Sequence, residues 1–500
     1  MKDGFIRVAA ATPDIHVADP QYNSEQIIEL MEQGSTRGVK VMAFPELCLT
    51  AYTCSDLFLQ ESLLREAKKE LKRILQASKS KDMIIFVGMP WMHKGKLYNV
   101  AAVLNRGRIL GIVPKKHLPN YSEFYELRHF NPGMEKVEMT DWEGVQVPMG
   151  MNLLFACRTM LELVLAAELC EDVWVPCPPS ISHALAGATV IANCSASDET
   201  TGKDQYRYNL ICGQSARLVC GYIYANAGEG ESSQDLVFGG QNIIAENGTC
   251  LVQSDRFKNA CICADLDLGR IISERRRMTT FRDEENRSAS YETVYFELNT
   301  EDSAKKDSKK AGQKRDELLR YIDPAPFVPH DAGQRERRCE EILSIQAMGL
   351  KKRLAHTNCK HAVIGLSGGL DSTLALLVTV RAFDMLQIPR ENIHCITMPC
   401  FGTTDRTYTN ACTMAKKTGA SLTEINIRDA VTGHFKDINH DIEKHDVTYE
   451  NGQARERTQI LMDIANEVGG MVIGTGDMSE LALGWATYNG DHMSMYGVNA

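Results

Sequence analysis

Three short stretches of this sequence each carry a reactive side chain close behind an apolar run. They are VMAFPELCLTAY at residues 41–52, IVPKKHLPNYSEFYE at 112–126 and LAAELCEDVWVP at 165–176, with Glu46, Lys115 and Cys170 as the reactive groups. A cysteine attacks as its thiolate, and a neighbouring base or cation is needed to form that thiolate. Attack on an amide also needs positive charge where the oxyanion forms. The three side chains together supply a base, a cation and a thiol, which is the set that such a reaction needs.

Each of these residues also has an ordinary structural explanation when it is considered alone. Glu46 is then a surface acid at a strand end, and Lys115 is one of two solvated lysines. Cys170 is one of sixteen cysteines, and its prior as a nucleophile is below roughly one in ten. Their occurrence together, and not any one of them, favours the catalytic interpretation.

A fourth stretch, LSGGLDS at residues 366–372, lies between an apolar segment typical of a strand and an apolar segment typical of a helix. Glycines let a backbone approach phosphates closely, and the start of a helix offers unpaired N–H groups to an anion. Ser367 and Ser372 add hydroxyl donors, whereas Asp371 repels a phosphate unless a cation such as Mg²⁺ lies between them. The loop lacks the GK[ST] ending of a Walker A motif. The alternative is a tight turn closed by a helix cap.

Two stretches further along the chain carry polar groups that suit a ligand site. They are ENGQARERTQILMDIAN at residues 450–466 and GTGDMSELALGWATYNGD at 474–491. In the second stretch, Gly and Thr at a strand end are followed by a carboxylate at a helix start. That arrangement supports a ligand or simply caps a helix, and the residues alone favour neither.

The elements that must position these side chains alternate between strand and helix in both halves of the chain. Spacing of apolar residues predicts strands at 5–12, 41–44, 82–88 and 100–104, and helices from Asn23 or Ser24 onward and over 61–77. In the second half it predicts helices at 339–354, 372–385 and 411–418, with strands at 362–366 and 394–398. This alternation is typical of α/β layered folds.

The clearest boundary in the chain is the charged stretch EDSAKKDSKKAGQKRD, which has no aromatic residue and no apolar face. We therefore predict a first domain over residues 1–298, a linker over 299–324 and a second domain over 325–500. No internal repeat is visible.

The composition excludes several classes of protein. The chain has 500 residues, 44% apolar and 24% charged, which excludes collagenous and disordered proteins. Its net charge of −10 leaves no overall basic surface, so nucleic acid is not expected as a partner, and any polyanion must bind at a local site. No signal peptide or membrane-spanning run is predicted, and the sixteen cysteines include no Cys-x-x-Cys pair, so we expect reduced thiols in the cytoplasm. His434, His440 and His445 are six and five residues apart, which does not suit a zinc site on one helix face.

The LSGGLDS loop resembles the pyrophosphate loop of the N-type ATP pyrophosphatases, and the stretches at 450–466 and 474–491 resemble NAD⁺ synthetases within that group. The resemblance implies that Asp371 and Glu480 hold Mg²⁺. It implies ATP contacts from Leu366, Ser367, Gly368, Gly369, Asp371, Ser372 and Thr475. It implies deamido-NAD⁺ contacts from Asn451, Arg455, Glu480 and Trp485.

The first three stretches resemble the nitrilase superfamily, whose Glu-Lys-Cys triad falls on Glu46, Lys115 and Cys170, and more closely the glutaminase domain of glutamine-dependent NAD⁺ synthetases. The resemblance implies a nitrilase-like α-β-β-α sandwich followed by a Rossmann-like doubly wound α/β domain. It implies glutamine-binding roles for Tyr121, Phe124, Glu126, Glu171, Ser197 and Lys203.

The activity implied is amidation of deamido-NAD⁺ to NAD⁺ with ammonia from glutamine and activation by ATP. The resemblance also implies a homo-oligomer, often an octamer, and a sheltered path for ammonia is a reasonable hypothesis. Two alternatives remain: a nitrilase-type amidase fused to a different adenylating ligase, and a nucleotide-binding regulator with an inactive synthetase half.

The sequence departs from the family pattern in two places. Many synthetases have a Ser/Thr-rich stretch where this chain has MPCFGTTDR at 398–406, so ATP contacts from Thr403 or Arg406 do not follow. The family's synthetase domain also continues beyond the position of Ala500, from which we expect an incomplete second site.

Overall fold

The computed structural model describes residues 3–233, 235–299, 317–401, 405–485, 487, 490 and 492–499. Contacts between Cα atoms divide the chain into two compact units, Met1–Ile322 and Asp323–Ala500. Most of the predicted linker, residues 300–316, lies outside the described residues. The later part of that linker is grouped with the first unit, where the Arg320 guanidinium bonds both carboxylate oxygens of Glu246 at 2.9 and 3.1 Å.

The first unit contains two mixed sheets within the described residues. Their strands are β1 (Phe5–Ala11), β2 (Val41–Ala43), β3 (Ile84–His93), β4 (Lys96–Asn105), β5 (Arg108–Pro114), β6 (Glu138–Trp142), β7 (Val145–Met149), β8 (Leu153–Cys157), β9 (Val164–Leu169), β10 (Val190–Ser195), β11 (Gly221–Asn226), β12 (Ile243–Glu246), β13 (Thr249–Gln253), β14 (Cys261–Asp267) and β15 (Glu292–Phe296). One sheet has the order β14-β1-β2-β3-β4-β5-β7-β6, and the other β13-β12-β11-β10-β9-β8-β15. The helices are α1 (Pro20–Thr36), α2 (Glu61–Ser78), α3 (Pro179–Leu185), α4 (Lys203–Leu218) and α5 (Leu268–Arg277).

The two sheets pack face to face. Successive residues of a strand point to opposite faces of its sheet, and because both faces carry apolar residues, one face packs on the other sheet and the opposite face packs on helices. Ala101 of β4 belongs to the core between the sheets, whereas its neighbour Ala102 packs with Leu71 of α2 in a second core. On the far side of the other sheet, Ile191 of β10 packs with Ile211 of α4. The layers therefore run α-β-β-α, which confirms the fold predicted for the first half of the chain.

The first helix begins earlier than the sequence analysis predicted. It starts at Pro20, and the carboxylate of Asp19 accepts a hydrogen bond from the backbone N–H of Tyr22. Asp is a strong N-cap residue, and Pro is well suited to the first helical position because its missing N–H has no helical partner there. Asn23, proposed as a cap, instead bonds the chain around His16 through its amide.

The second unit has one parallel sheet with helices on both faces. Its strands are β16 (Ala362–Gly365), β17 (Ile393–Thr397), β18 (Ser421–Glu424), β19 (Met471–Asp477) and β20 (Tyr496–Asn499), in the order β18-β17-β16-β19-β20. The described helices are α6 (Ala332–Thr357), α7 (Leu370–Leu386), α8 (Asp405–Thr418), α9 (Arg428–Asp437), α10 (Val447–Val468) and α11 (Met478–Leu483). Adjacent residues Val363 and Ile364 pack into separate cores on opposite faces of the sheet.

This strand order confirms the predicted doubly wound fold and has the switch point at which sheets of this kind bind ligands. From β16 the chain adds β17 and then β18 on one side of the sheet. It then returns and adds β19 and β20 on the other side of β16. In open α/β sheets, ligands bind outside the carboxyl ends of the strands at such a switch point. LSGGLDS follows β16 and GTGD ends β19, so both motifs lie at that point. Among the described helices of the chain, none has the length and apolar content needed to cross a membrane.

Candidate functional site

Three strand ends position the predicted triad of the first unit. Glu46 follows β2, Lys115 follows β5 directly, and Cys170 follows β9 directly. The turn that carries Glu46 packs closely on β3 at Gly88, where an added Cβ would lie 2.3 Å from the Pro45 carbonyl oxygen. Only glycine permits this approach, so the position of Glu46 depends on a residue more than forty positions away in the sequence.

The centre of the site is a buried lysine held by two carboxylates. The Lys115 ammonium donates to Glu46 Oε1 at 2.7 Å and to Glu126 Oε1 at 2.6 Å. Glu46 and Lys115 are fully buried and Glu126 is 4% exposed. The interpretations of Glu46 as a surface acid and of Lys115 as a solvated lysine are therefore wrong. Glu46 is further fixed by the backbone N–H of Ala196, which donates to its Oε2 at 3.1 Å.

The charges of this cluster set its protonation. Burial alone lowers the pKa of Lys115, but the charges of Glu126 and Glu46 outweigh it and raise that pKa well above its ordinary value. Burial and the negative charge of Glu46 raise the pKa of Glu126 to about 7, although the positive charge of Lys115 acts in the opposite direction. Lys115 thus remains a cation at neutral pH. A fixed positive charge in a water-excluded site suits the stabilisation of an oxyanion.

Cys170 begins a short 3₁₀ turn, Cys170–Val173, with a φ of 39°. A left-handed backbone conformation is uncommon for a residue other than glycine, and the examples that occur are concentrated at functional sites. Burial raises the pKa of the Cys170 thiol, the charge of Glu46 raises it further, and Lys115 opposes both. The resting thiol is therefore protonated, and it needs a base such as Glu46 to remove its proton during attack.

Asp172 joins the two loops that carry Lys115 and Cys170, and the sequence analysis did not find it. Its Oδ1 accepts from the backbone N–H of His117 and pairs with His117 Nδ1, both at 2.9 Å. Its Oδ2 accepts from the backbone N–H of Leu169 at 3.1 Å. An acidic residue at the start of a short helix is a signal for a local cap, but nothing in the sequence points to the His117 loop.

Of the predicted glutamine-binding residues, Glu126 belongs to the Lys115 cluster, and the other five fall into two groups in the structure. The Tyr121 hydroxyl donates to Glu171 at 2.9 Å, and the Tyr121 and Phe124 rings meet edge to face with centroids 6.0 Å apart. Ser197 and Lys203 lie in the segment after β10, where the Lys203 ammonium bonds Asp198 and lies 5.4 Å from the centroid of the Trp174 ring.

Arg207 supports the second group and was also missed. Its guanidinium, fully buried, donates to Ser197 Oγ at 3.2 Å, to the Asp198 carbonyl at 2.8 Å and to Glu199 at 2.6 Å. An open cavity of about 450 Å³ is lined by Glu126 and by Tyr52, whose hydroxyl donates to Glu126 at 2.8 Å.

The glycine loop of the second unit is folded tightly between β16 and α7. The Ser367 and Ser372 hydroxyl oxygens are 3.1 Å apart, and Ser367 Oγ accepts from the backbone N–H of Gly369 at 3.2 Å. Gly368 has a φ of 79°, and a Cβ there would lie 2.0 Å from the Thr407 carbonyl oxygen. Glycine is thus required at this position both by its dihedral angle and by the close approach of α8.

Asn499 connects the glycine loop with the end of β19. Its amide nitrogen donates to the Asp371 carbonyl at 3.0 Å and to the Thr475 carbonyl at 2.9 Å. Glu480 lies in the first turn of α11, where its Oε2 accepts from the backbone N–H of Asp477 at 3.1 Å. Asp371, Thr475 and Glu480 therefore lie at the carboxyl ends of two neighbouring strands.

The donor set at this switch point fits Mg²⁺. In the described parts of the chain, no group of three or more His, Cys, Asp or Glu side chains is arranged to hold a metal ion. Mg²⁺ in nucleotide sites is usually held by one or two carboxylates together with substrate phosphates. Asp371 and Glu480 supply such a pair, so a ligand set completed by ATP agrees with these residues.

The residues predicted to contact deamido-NAD⁺ form two pairs. Arg455 of α10 donates to the Asn451 carbonyl one turn earlier at 3.1 Å. The backbone N–H of Trp485 bonds the Glu480 carbonyl at 2.9 Å, and Trp485 is 80% exposed. Gly490 lies against Ala454, so the chain after Trp485 returns to α10. Thr403 lies outside the described residues, whereas Arg406 is in the first turn of α8.

Comparisons with known proteins match both units. The family model described as carbon-nitrogen hydrolase matches residues 7–276, and the one described as NAD synthase matches residues 342–496. The glutamine-dependent NAD(+) synthetase of Mycobacterium leprae (strain TN) is 42% identical over 508 residues, covering 99% of this chain and 73% of that protein. The protein of the same name from Aquifex aeolicus (strain VF5) is 29% identical, covering 97% and 77%. The crystal structure of a glutamine-dependent NAD(+) synthetase from Cytophaga hutchinsonii is 23% identical with a TM-score of 0.48, covering 98% and 78%.

Proposed function

This chain belongs to the family of glutamine-dependent NAD(+) synthetases, and from that membership we propose that it converts deamido-NAD⁺ to NAD⁺ with glutamine as nitrogen donor and ATP as cosubstrate. The membership confirms the resemblance that the motifs indicated. The observation that carries the proposal is the buried Lys115 between Glu46 and Glu126. The charge of Lys115 acts on the Cys170 thiol, and the same chain has the SGGLDS loop.

In the first site, Glu46 takes the proton of the Cys170 thiol, and the thiolate attacks the amide carbon of glutamine. Lys115, held as a cation by the two glutamates, stabilises the tetrahedral oxyanion. The intermediate collapses to a thioester, and ammonia leaves with the proton that Glu46 returns. Water then hydrolyses the thioester, which gives glutamate and restores the thiol. Tyr121, Phe124, Glu171, Ser197 and Lys203 are proposed to hold the glutamine.

In the second site, the carboxylate of deamido-NAD⁺ attacks the α-phosphorus of ATP and pyrophosphate leaves. The SGGLDS loop is proposed to hold the departing pyrophosphate through backbone N–H groups and serine hydroxyls. Ammonia then attacks the adenylated carbonyl carbon and displaces AMP. Asp371 and Glu480 would hold Mg²⁺, which when bound neutralises phosphate charge. Asn451, Arg455 and Trp485 are proposed to contact deamido-NAD⁺.

Three further assignments belong to the same proposal. The glutaminase occupies residues 1–298 and the synthetase residues 325–500. The enzyme works in the cytoplasm, which sixteen cysteines without a disulfide among them suit. It assembles as a homo-oligomer, as the family resemblance implies.

The proposal is tested by measuring NAD⁺ formation from deamido-NAD⁺ and ATP with Mg²⁺, once with glutamine and once with ammonium as the nitrogen source. We expect NAD⁺ from both sources, with one AMP and one pyrophosphate for each NAD⁺. Hydrolysis of glutamine without NAD⁺ from either source would instead support an amidase fused to another ligase. Nucleotide binding with neither activity would support a regulator.

Replacing Asp172 with asparagine is predicted to slow glutamine hydrolysis by about ten- to a hundredfold, because one amide oxygen cannot accept all the hydrogen bonds that two carboxylate oxygens now accept. The loops of Lys115 and Cys170 then lose their common support. Ammonia-driven NAD⁺ formation is expected to stay at the wild-type rate, and initial rates of both reactions are the measurement.

Asp265→Asn is the matched control for this variant. Asp265 is 3% exposed and its carboxylate bonds the Arg7 guanidinium at 2.9 and 3.0 Å, within the same unit but outside the Lys115 cluster. We expect a comparable loss of thermal stability with glutamine hydrolysis retained. Equal slowing by both variants would show that Asp172 acts only through the stability of the unit.

A further inference from the structure

Asn99 is a polar residue in an apolar row of the sheet. It lies in β4, where the alternate residues that follow it on the same face, Ala101 and Val103, belong to the core between the two sheets. Asn99 is 1% exposed. Burying an amide in such a row costs free energy unless its hydrogen bonds are made, so the contacts of this side chain indicate why it is there.

The contacts of Asn99 reach all three charged residues of the buried cluster. Its amide nitrogen donates to Glu46 Oε1 at 2.6 Å and approaches Glu126 Oε2 at 3.5 Å. Its backbone carbonyl accepts from the backbone N–H of Lys115 at 2.9 Å. The two hydrogens of one NH₂ group are thus directed toward the two carboxylates that also bind the Lys115 ammonium.

The other end of the same amide makes no hydrogen bond. Asn99 Oδ1 is buried and has no partner among the residues that the structure describes. Turning the amide over would place this oxygen against two carboxylates, which repel it, so the observed orientation is the one that the cluster demands. An unpaired buried acceptor destabilises the fold. Since Asn99 destabilises the sheet by its unpaired oxygen, its presence is explained by the hydrogen bonds that its nitrogen donates to the two carboxylates of the cluster.

We propose that Asn99 is a positioning residue of the glutaminase, which keeps Glu46 ionised and oriented toward the Cys170 thiol by donating one N–H to it and the other to Glu126. The inference rests on the function proposed above. Asn99 itself gains and loses no proton: Glu46 takes the thiol proton and later returns it to the departing ammonia. A hydrogen bond donated to the charged form of a carboxylate favours that form.

Several titratable groups act on Glu46 in addition to the neutral amide of Asn99. Lys115 bonds it, and Glu126, Cys170, Tyr52 and Cys194 are close enough for their charges to interact with that of Glu46. Lys115 favours the ionised carboxylate, whereas the negative forms of the other groups oppose it. The two carboxylates share one ammonium, and the neutral donors that complete the contacts of Glu46 are the Asn99 amide at 2.6 Å and the backbone N–H of Ala196 at 3.1 Å.

The test is the pH dependence of kcat/KM for glutamine hydrolysis in Asn99→Leu, which keeps the branching of the side chain at Cγ and has no hydrogen-bond donor. Loss of the donor raises the pH at which the base becomes protonated, so the acid limb of the profile should move upward by about one pH unit. At pH 6.5 we expect a loss of roughly tenfold or more in kcat/KM, mostly in kcat because Asn99 does not bind glutamine. Ammonia-driven NAD⁺ formation should not change.

Asn105→Leu is the matched control, since Asn105 lies in the same strand, is 1% exposed and donates to the Met83 carbonyl at 3.0 Å away from the cluster. It should lose stability without moving the acid limb.

Asn99→Ser keeps one hydroxyl donor and should give an intermediate shift of the acid limb. This variant replaces Asn99→Leu in the test if Asn99→Leu does not fold. An acid limb at the wild-type position in both Asn99 variants, or an equal shift in Asn105→Leu, overturns the proposal. A wild-type enzyme without Cys170-dependent glutamine hydrolysis would instead refute the proposed function itself.

Discussion

Replacing Cys170 with alanine is expected to abolish NAD⁺ formation from glutamine while formation from ammonia proceeds at the wild-type rate. The variant lacks the atom that forms the thioester, and none of the other groups of the cluster, Glu46, Lys115 and Glu126, is a thiol. Loss of a nucleophile of this kind costs at least about a thousandfold in kcat. The synthetase step uses free ammonia directly, so it does not depend on the thiol.

The measurement compares initial rates of NAD⁺ formation with each nitrogen source, together with glutamate release. Cys220→Ala is the matched control, because Cys220 is also a buried, unpaired cysteine of the first unit and lies in a different apolar core, the one outside the second sheet. We expect the control to retain both reactions with a small loss of thermal stability. If Cys170→Ala loses both reactions equally, Cys170 supports the structure of the protein and is not its nucleophile.

The opposite pattern is expected when Asp371 is replaced by asparagine. This change keeps the shape of the side chain and removes the charge that we propose holds Mg²⁺ beside the SGGLDS loop. Stabilisation of phosphate charge by a metal is worth several kcal/mol, so NAD⁺ formation should fall by a hundredfold or more with either nitrogen source. Glutamine hydrolysis should continue, because the chemistry at Cys170 uses neither ATP nor a metal.

Asp384→Asn is the control for this second prediction. Asp384 is on the same helix, α7, where its carboxylate bonds the Arg390 guanidinium at 2.7 and 2.8 Å. This exposed pair is expected to contribute little to stability and nothing to either reaction. The rates are measured over a range of Mg²⁺ concentrations. An Asp371→Asn enzyme with a wild-type rate and a wild-type requirement for Mg²⁺ would contradict the proposed metal site.

The three residues of the proposed triad could be singled out from the sequence because each of them follows an apolar strand within a few residues. A strand end is a local signal, and the sequence motifs around Glu46, Lys115 and Cys170 are themselves short and continuous. The same holds for the SGGLDS loop between its strand and helix. Secondary structure follows from periodicity over a few turns, which explains why the α/β layers of both units were predicted correctly.

The supporting residues were missed because their partners are remote in the sequence. Asn99 bonds Glu46 from 53 positions away, Asp172 bonds His117 from 55, and Asn499 bonds Asp371 from 128. No periodic pattern links such pairs. The Asn in LYNVAAVL precedes the strand predicted at 100–104, and nothing in the sequence relates it to the two carboxylates that its amide faces in the structure.

Taken by itself, the sequence determined which chemical groups this protein carries and in what order they follow strands and helices. Only the tertiary structure decided that Lys115 and Glu46 are fully buried and that Glu126 has a pKa of about 7. The physical reason is that burial and neighbouring charge depend on segments that folding brings together, whereas residue type and apolar spacing are properties of the chain alone. The sequence therefore indicated the groups that we propose to react, and the fold decided their burial and the charges around them.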